Sequence, residues 1–172
     1  MLHTYEAHPR MSPIGEFPVE RLMGELDAHP ELWNEHRFRT ESPKSPHREA
    51  DDIWARYNAL ENFGPEFNDE HESVWYPCAE KLPNLKPLVE CVAHAMGART
   101  VGGVLITRVP AGKQIYWHAD SGWHAGAHRK FLVLLRGYHG QSFEFENQYS
   151  HRVLNDSDSE RISLIICLRD FA

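Results

Sequence analysis

Apolar residues change their spacing near Gly97: before it they recur at helical offsets or scatter through polar loops, and after it they gather into short runs broken by turn residues. Val19, Leu22, Met23 and Leu26 follow i, i+3, i+4, i+7 behind Pro18, which predicts a short amphipathic helix over 18–28 whose stripe covers a sheet. Leu85, Leu88, Val89, Val92 and Met96 repeat the pattern with Pro87 in the first turn and Gly97 past the end, predicting a helix over 84–96. Between them, 34–52 is polar and carries Pro43 and Pro46, so it reads as a long loop. Residues 51–60, around Ile53 and Trp54, fit a short helix or a strand, and 62–67 is turn-like.

Past Gly97 the runs 101–109, 114–118, 129–135, 143–145 and 161–168 read as strands, with a tight turn at 110–113. Short strands at this spacing predict a mainly β fold with flanking helices (α+β), its core a jelly-roll or cupin-like double-stranded β-helix. At 172 residues one domain is expected, with a helical and loop part over 1–100 packing on a jelly-roll core over 101–172.

Composition narrows the partners. A net charge of −7 argues against a nucleic-acid backbone or an anionic membrane as the main partner. No apolar run approaches the roughly 20 residues of a membrane span. The polar start, Met1 to Pro9, lacks the basic and apolar regions of a leader, so a cytoplasmic protein is expected. Cys78, Cys91 and Cys167 are odd in number and lack CxxC spacing, which suits free thiols.

The chemistry gathers between Tyr116 and Ser163. His118 and Asp120 lie two apart in Tyr116-Trp117-His118-Ala119-Asp120, so on a strand they leave the same face and reach one metal. His151 follows 33 residues after His118, completing a facial set for non-haem Fe(II) with positions left open. HxD alone is a weak signal in a chain with twelve histidines; the joint pattern with His151-Arg152-Val153-Leu154-Asn155 and Arg161-Ile162-Ser163 is far more specific. Arg161 and Ser163 share a strand face, and a guanidinium fork beside a hydroxyl suits a carboxylate.

In this order of motifs the stretch from about Val74 to Leu168 resembles the 2-oxoglutarate- and Fe(II)-dependent oxygenases, in their aspartyl/asparaginyl β-hydroxylase-like branch. The resemblance implies His118, Asp120 and His151 as iron ligands, 2-oxoglutarate as cosubstrate and Arg161 at its distal carboxylate. It also places Arg129 near the other end of the cosubstrate and the Thr107 hydroxyl near the distal carboxylate. A carboxylate at 120 leaves no room for halide and implies hydroxylation. Two departures stand out: Phe131 occupies the second position after Arg129, where the family carries histidine, and the segment 136–150 is shorter than the family's hairpin.

By the same resemblance the substrate is an aspartyl or asparaginyl side chain in a peptide or protein, or a small amino-acid-like molecule. The loop 34–52 would lie across the mouth, where Arg37, Arg39, His47 and Arg48 meet an acidic group or stay solvated. His124 and His128, beside the metal set, read as solvent-facing or as spare ligands. Two rivals remain: a non-catalytic metal-binding jelly-roll protein, and a cupin-type metalloenzyme that does not use 2-oxoglutarate.

Overall fold

The run Arg161–Phe171 shows how the fold positions its chemistry. Ile162, Leu164, Ile166 and Leu168 are buried in the main apolar core, while Arg161, Ser163 and Ile165 line a cavity on the opposite face. That two-sidedness follows from the period-2 alternation of a strand.

A computed structural model describes residues 10–137 and 140–172. Its strands are β1 (Met11–Glu16), β2 (Asp51–Tyr57), β3 (Val74–Trp75), β4 (Ala98–Val109), β5 (Gln114–His118), β6 (Arg129–Arg136), β7 (Gln141–Phe145), β8 (His151–Leu154) and β9 (Arg161–Phe171). Its α-helices are α1 (Glu20–Ala28), α2 (Leu85–Ala95) and α3 (Trp123–Ala127). Seven strands form an antiparallel sheet in the order β1-β7-β6-β9-β4-β2-β3, and β5 pairs with β8 in a separate two-stranded sheet. This is the expected mainly β, jelly-roll architecture.

Helices cover one face of the large sheet. Leu22 and Leu26 of α1 and Leu85, Leu88, Val89 and Val92 of α2 pack into a core with Val104, Ile106, Phe131 and Val133. Each such side chain, fully buried, contributes about 1.5–3 kcal/mol. Helix α2 stops where its pattern does: Gly97 takes φ +69, and its N–H bonds the His94 carbonyl at 3.0 Å.

One expectation needs correction, and open readings are resolved. The first hundred residues are not only helix and loop, since they supply β1, β2, β3 and the start of β4. The ambiguous stretch 51–60 begins as a strand, registered on β4 with Ile53 opposite Ile106. The ligand-bearing segment 151–154 is also a strand. The loop 34–52 does not hang loose: the Pro46 carbonyl accepts from Tyr116 N–H at 2.8 Å, and Glu49 accepts from the Tyr116 hydroxyl at 2.9 Å and from Gln114 N–H at 3.2 Å. It closes the free edge of β5 and becomes a wall. No helix among the described residues is long and apolar enough to cross a membrane. Met1 to Pro9, read as a leaderless start, and Tyr138-His139 of the short 136–150 segment lie outside the described residues.

Candidate active site

Pairing of β5 with β8 sets His118 directly opposite His151, with ring centroids 4.2 Å apart. Asp120 lies just past the end of β5, in a loop rather than on the strand, where its N–H bonds the Asn147 carbonyl at 2.9 Å. One ligand atom from each of His118, Asp120 and His151 lies within 4.8 Å of the others; among the described residues no other group of this kind gathers. The three residues expected to share a metal are therefore brought together.

Their orientation is set by hydrogen bonds. His118 Nδ1 lies 2.8 Å from the Tyr116 carbonyl and His151 Nδ1 2.7 Å from the Tyr149 carbonyl. A carbonyl only accepts, so each Nδ1 donates its proton there and Nε2 is the nitrogen left to face a metal, the arrangement a metal-ligating histidine needs. Asp120 Oδ1 lies 3.4 Å from His118 Nε2, while Oδ2 accepts from Lys130 Nζ and, at 2.9 Å, from Asn147 Nδ2. Burial opposes ionisation of Asp120, but His118, Lys130 and Asn147 outweigh it and hold the carboxyl well below the usual range. Burial pushes the His151 imidazole down, favouring the neutral form that binds metal.

Two chambers open beside this set. The first, about 700 Å³ including its mouth, has His118 and His151 at one end and Arg161, Ser163 and Thr107 further along. Ser163 sits opposite Thr107, and Arg161 opposite Val109, in the β4–β9 register. The Arg161 Nε is buried without a hydrogen-bond partner, a costly state for a guanidinium that an anionic ligand would relieve. The residues present thus fit a metal with a carboxylate-bearing ligand. Thr107 is bound more tightly than expected: its hydroxyl accepts from Arg39 Nη2 at 2.7 Å and donates to Asp52 Oδ1 at 2.9 Å.

Sequence reasoning missed two groups, Asp52 and Lys130, and assigned Arg39 and His47 to the mouth of the site. Asp52, fully buried, holds Arg39 through Nε at 2.7 Å and Nη2 at 2.9 Å, so Arg39 is not free for an acidic substrate. His47 packs edge-on against His118 at 4.5 Å, and burial, helped by Arg39 and His118, pushes its pKa down to about 2. Lys130, not Arg129, faces the site. Arg129 is exposed, pairs with Glu144 at 2.6 Å and lies over the Phe171 ring at 4.3 Å, so its expected place near the cosubstrate is corrected. The cause is strand parity: Arg129 and Phe131 share one face of β6, and Phe131 is wholly buried in the helix-covered core, while Lys130 and Leu132 face the cavity. Parity alone would have singled out Lys130 once the buried side of the strand was known.

The second chamber, about 770 Å³ including its open mouth, lies on the Asp120 side, with Trp54, Tyr57, Leu105, His124 and His128 in its wall. Neither of those histidines is solvent-facing, and neither joins the group of His118, Asp120 and His151. His124 Nε2 accepts from Gly103 N–H at 3.1 Å, His128 Nδ1 bonds the His124 carbonyl at 3.0 Å, and the rings stack at 4.2 Å. Glycine is required beneath them, because a Cβ on Gly102 would come within 2.4 Å of His128 Nε2. Burial and the neighbouring His128 and His71 lower the His124 pKa to about 3.

No family model matches this chain, and no curated protein matches it. Among solved structures it is similar to a prolyl-4-hydroxylase from Pseudomonas putida, at 13% identity and TM-score 0.38 over 93% of this chain and 92% of that one. A viral collagen prolyl hydroxylase from Paramecium bursaria Chlorella virus-1 gives 12% identity and TM-score 0.42 over 92% and 96%. Neither superposition is close enough to carry an argument. An oxidoreductase of the 2OG-Fe(II) oxygenase family from Burkholderia pseudomallei superposes with TM-score 0.56 at 13% identity, over 86% of this chain and 78% of that one. The chain shares the fold of that oxygenase.

Proposed function

We propose that this chain is an Fe(II)- and 2-oxoglutarate-dependent dioxygenase. Its substrate on this reading is a side chain of aspartyl or asparaginyl type in a peptide or protein, or a small amino-acid-like molecule. The observation that carries the reading is the buried, unanswered Arg161 Nε in the same chamber as the free Nε2 atoms of His118 and His151. The fold shared with an oxygenase supports it.

When bound, the metal and keto acid would supply the oxidising chemistry: dioxygen is the oxidant, one of its atoms entering a substrate C–H bond as hydroxyl and the other the succinate left when the keto acid loses carbon dioxide. The protein's own residues do the rest. His118, Asp120 and His151 hold the metal, and Lys130 and Asn147 keep Oδ2 of Asp120 engaged so that Oδ1 remains turned inward. Arg161 orients the far carboxylate of the cosubstrate beside the Ser163 hydroxyl. Thr107 gives its proton to Asp52 and has none left for that carboxylate. Val109, Ile115 and Val153 keep water from the chamber. Phe131 turns away from the cavity, so its lack of a hydrogen-bond donor has no bearing on the cosubstrate.

The test is an anaerobic titration with Fe(II) and then 2-oxoglutarate, following the visible charge-transfer band of a chelated keto acid. The band is expected in the parent protein. In Arg161→Ala, loss of a charged hydrogen bond of about 1.5–3 kcal/mol weakens 2-oxoglutarate by about 10- to 150-fold. Iron binding without any band would refute the reading.

A further inference from the structure

The two chambers meet at a shared partition of Arg39, His47, Lys130 and Ile165, yet they differ in what they offer a ligand. The first presents an unanswered guanidinium nitrogen. In the second, the cations of the partition are already matched: Arg39 by Asp52 and Lys130 by Asp120. The His124 imidazole is uncharged, since it receives a backbone N–H at Nε2 and so keeps its single proton on Nδ1. Its wall holds rings (Trp54, Tyr57, His124) over an aliphatic floor of Leu105 and Ile165. One buried donor in that wall has no partner, the indole N–H of Trp54.

We infer that the second chamber is a binding site for an uncharged planar ring carrying a hydrogen-bond acceptor, with the acceptor answered by Trp54 Nε1. Flat walls favour a flat ligand through offset or edge contacts between rings. Absence of a spare charge disfavours a carboxylate or ammonium, because burying either without a partner costs far more than burying a neutral group. An unpaired donor selects a ligand with an acceptor over one without, by the cost of leaving the donor buried and unbonded. Asp120 lines the same chamber, so a ring held there lies beside the proposed metal set. This narrows the substrate of the dioxygenase reading, on which its role as substrate site rests, to the last of the proposed classes, a small amino-acid-like molecule whose side chain is a neutral ring.

The experiment uses the full chain loaded with Mn(II) and saturated with 2-oxoglutarate. Proton relaxation is recorded for benzamide, benzoate, benzylammonium and acetamide. Benzamide is expected to relax strongly and the other three weakly. Trp54→Phe, checked for fold by circular dichroism, is expected to weaken benzamide about fivefold. Ala125→Leu, which narrows the chamber without touching the donor, is expected to weaken it as well.

Equal relaxation by benzoate or benzylammonium would overturn the assignment of an uncharged ligand, and equal relaxation by acetamide would overturn the ring. Unchanged benzamide binding in both variants would place the probe elsewhere and overturn the site. If 2-oxoglutarate leaves the water relaxation of the Mn(II) protein unaltered, the dioxygenase reading fails. The chamber is then decided separately by saturation transfer from the metal-free protein to the same four probes, with the same preference expected.

Discussion

Asp52→Ala removes the anchor of the buried network beneath the first chamber. Asp52 is fully buried and Arg39 is 20% exposed at the side chain, so the variant strands a largely desolvated guanidinium. Three hydrogen bonds end on the lost carboxylate, two from Arg39 and one from Thr107. Breaking a buried pair from one side costs about 3–5 kcal/mol, and the residual exposure of Arg39 sets the expectation at the lower end, about 3 kcal/mol. For a chain of this size that lowers Tm by about 6–12 °C, at 2–4 °C per kcal/mol. Urea unfolding followed by circular dichroism gives the free energy, and calorimetry gives Tm. The double variant Asp52→Leu with Arg39→Met should recover most of the loss, because it removes both charges and fills the space. A loss below about 1 kcal/mol for Asp52→Ala would show that the pair behaves as a solvated surface pair and would refute the reasoning.

Two further outcomes follow from packing and protonation. Gly102→Ala drives a methyl group into the buried His128 ring and should cost about 1–3 kcal/mol in urea unfolding; the cost should shrink when His128→Ala is added. His47 and His124 are held neutral, with folded pKa values of about 2 and about 3 against 6.5 for an ordinary histidine. The unfolded chain therefore binds more protons below pH 6.5, and the stability these residues provide is complete above that pH and is lost as pH falls from 6.5 toward about 3 for His124 and about 2 for His47. His124→Gln should flatten the fall of unfolding free energy across that window, and an unchanged slope would contradict the burial of its ring.

Much of this was legible in the chain. Helices α1 and α2 show themselves by period and strands β4, β5, β6 and β9 as short apolar runs between turn residues, and His118, Asp120 and His151 meet as their spacing suggests. What stayed hidden depends on contacts across the chain. Strand β1 contains a proline and a glycine, Pro13 and Gly15, and forms on the edge of the sheet against β7. Strand β8 has only four residues and gains its identity from its partner β5. In β6 the sequence Phe131-Leu132-Val133-Leu134-Leu135 is apolar on both faces, so no alternation indicates which of Arg129 and Lys130 enters the site. Asp52 follows another aspartate, Asp51, at the edge of a polar loop, and nothing local distinguishes the buried one from the one that meets Arg108 at the surface.

The three metal-facing side chains depend on the rest of the molecule to different degrees. Each histidine is braced by the carbonyl two residues before it, so its working nitrogen is fixed by its own tripeptide. The carboxylate is braced by Lys130 from β6 and Asn147 from the connection after β7. Sequence drift in distant strands therefore leaves the imidazoles aimed while loosening Asp120. A relative that has lost this site would keep its two histidines in place longer than its aspartate.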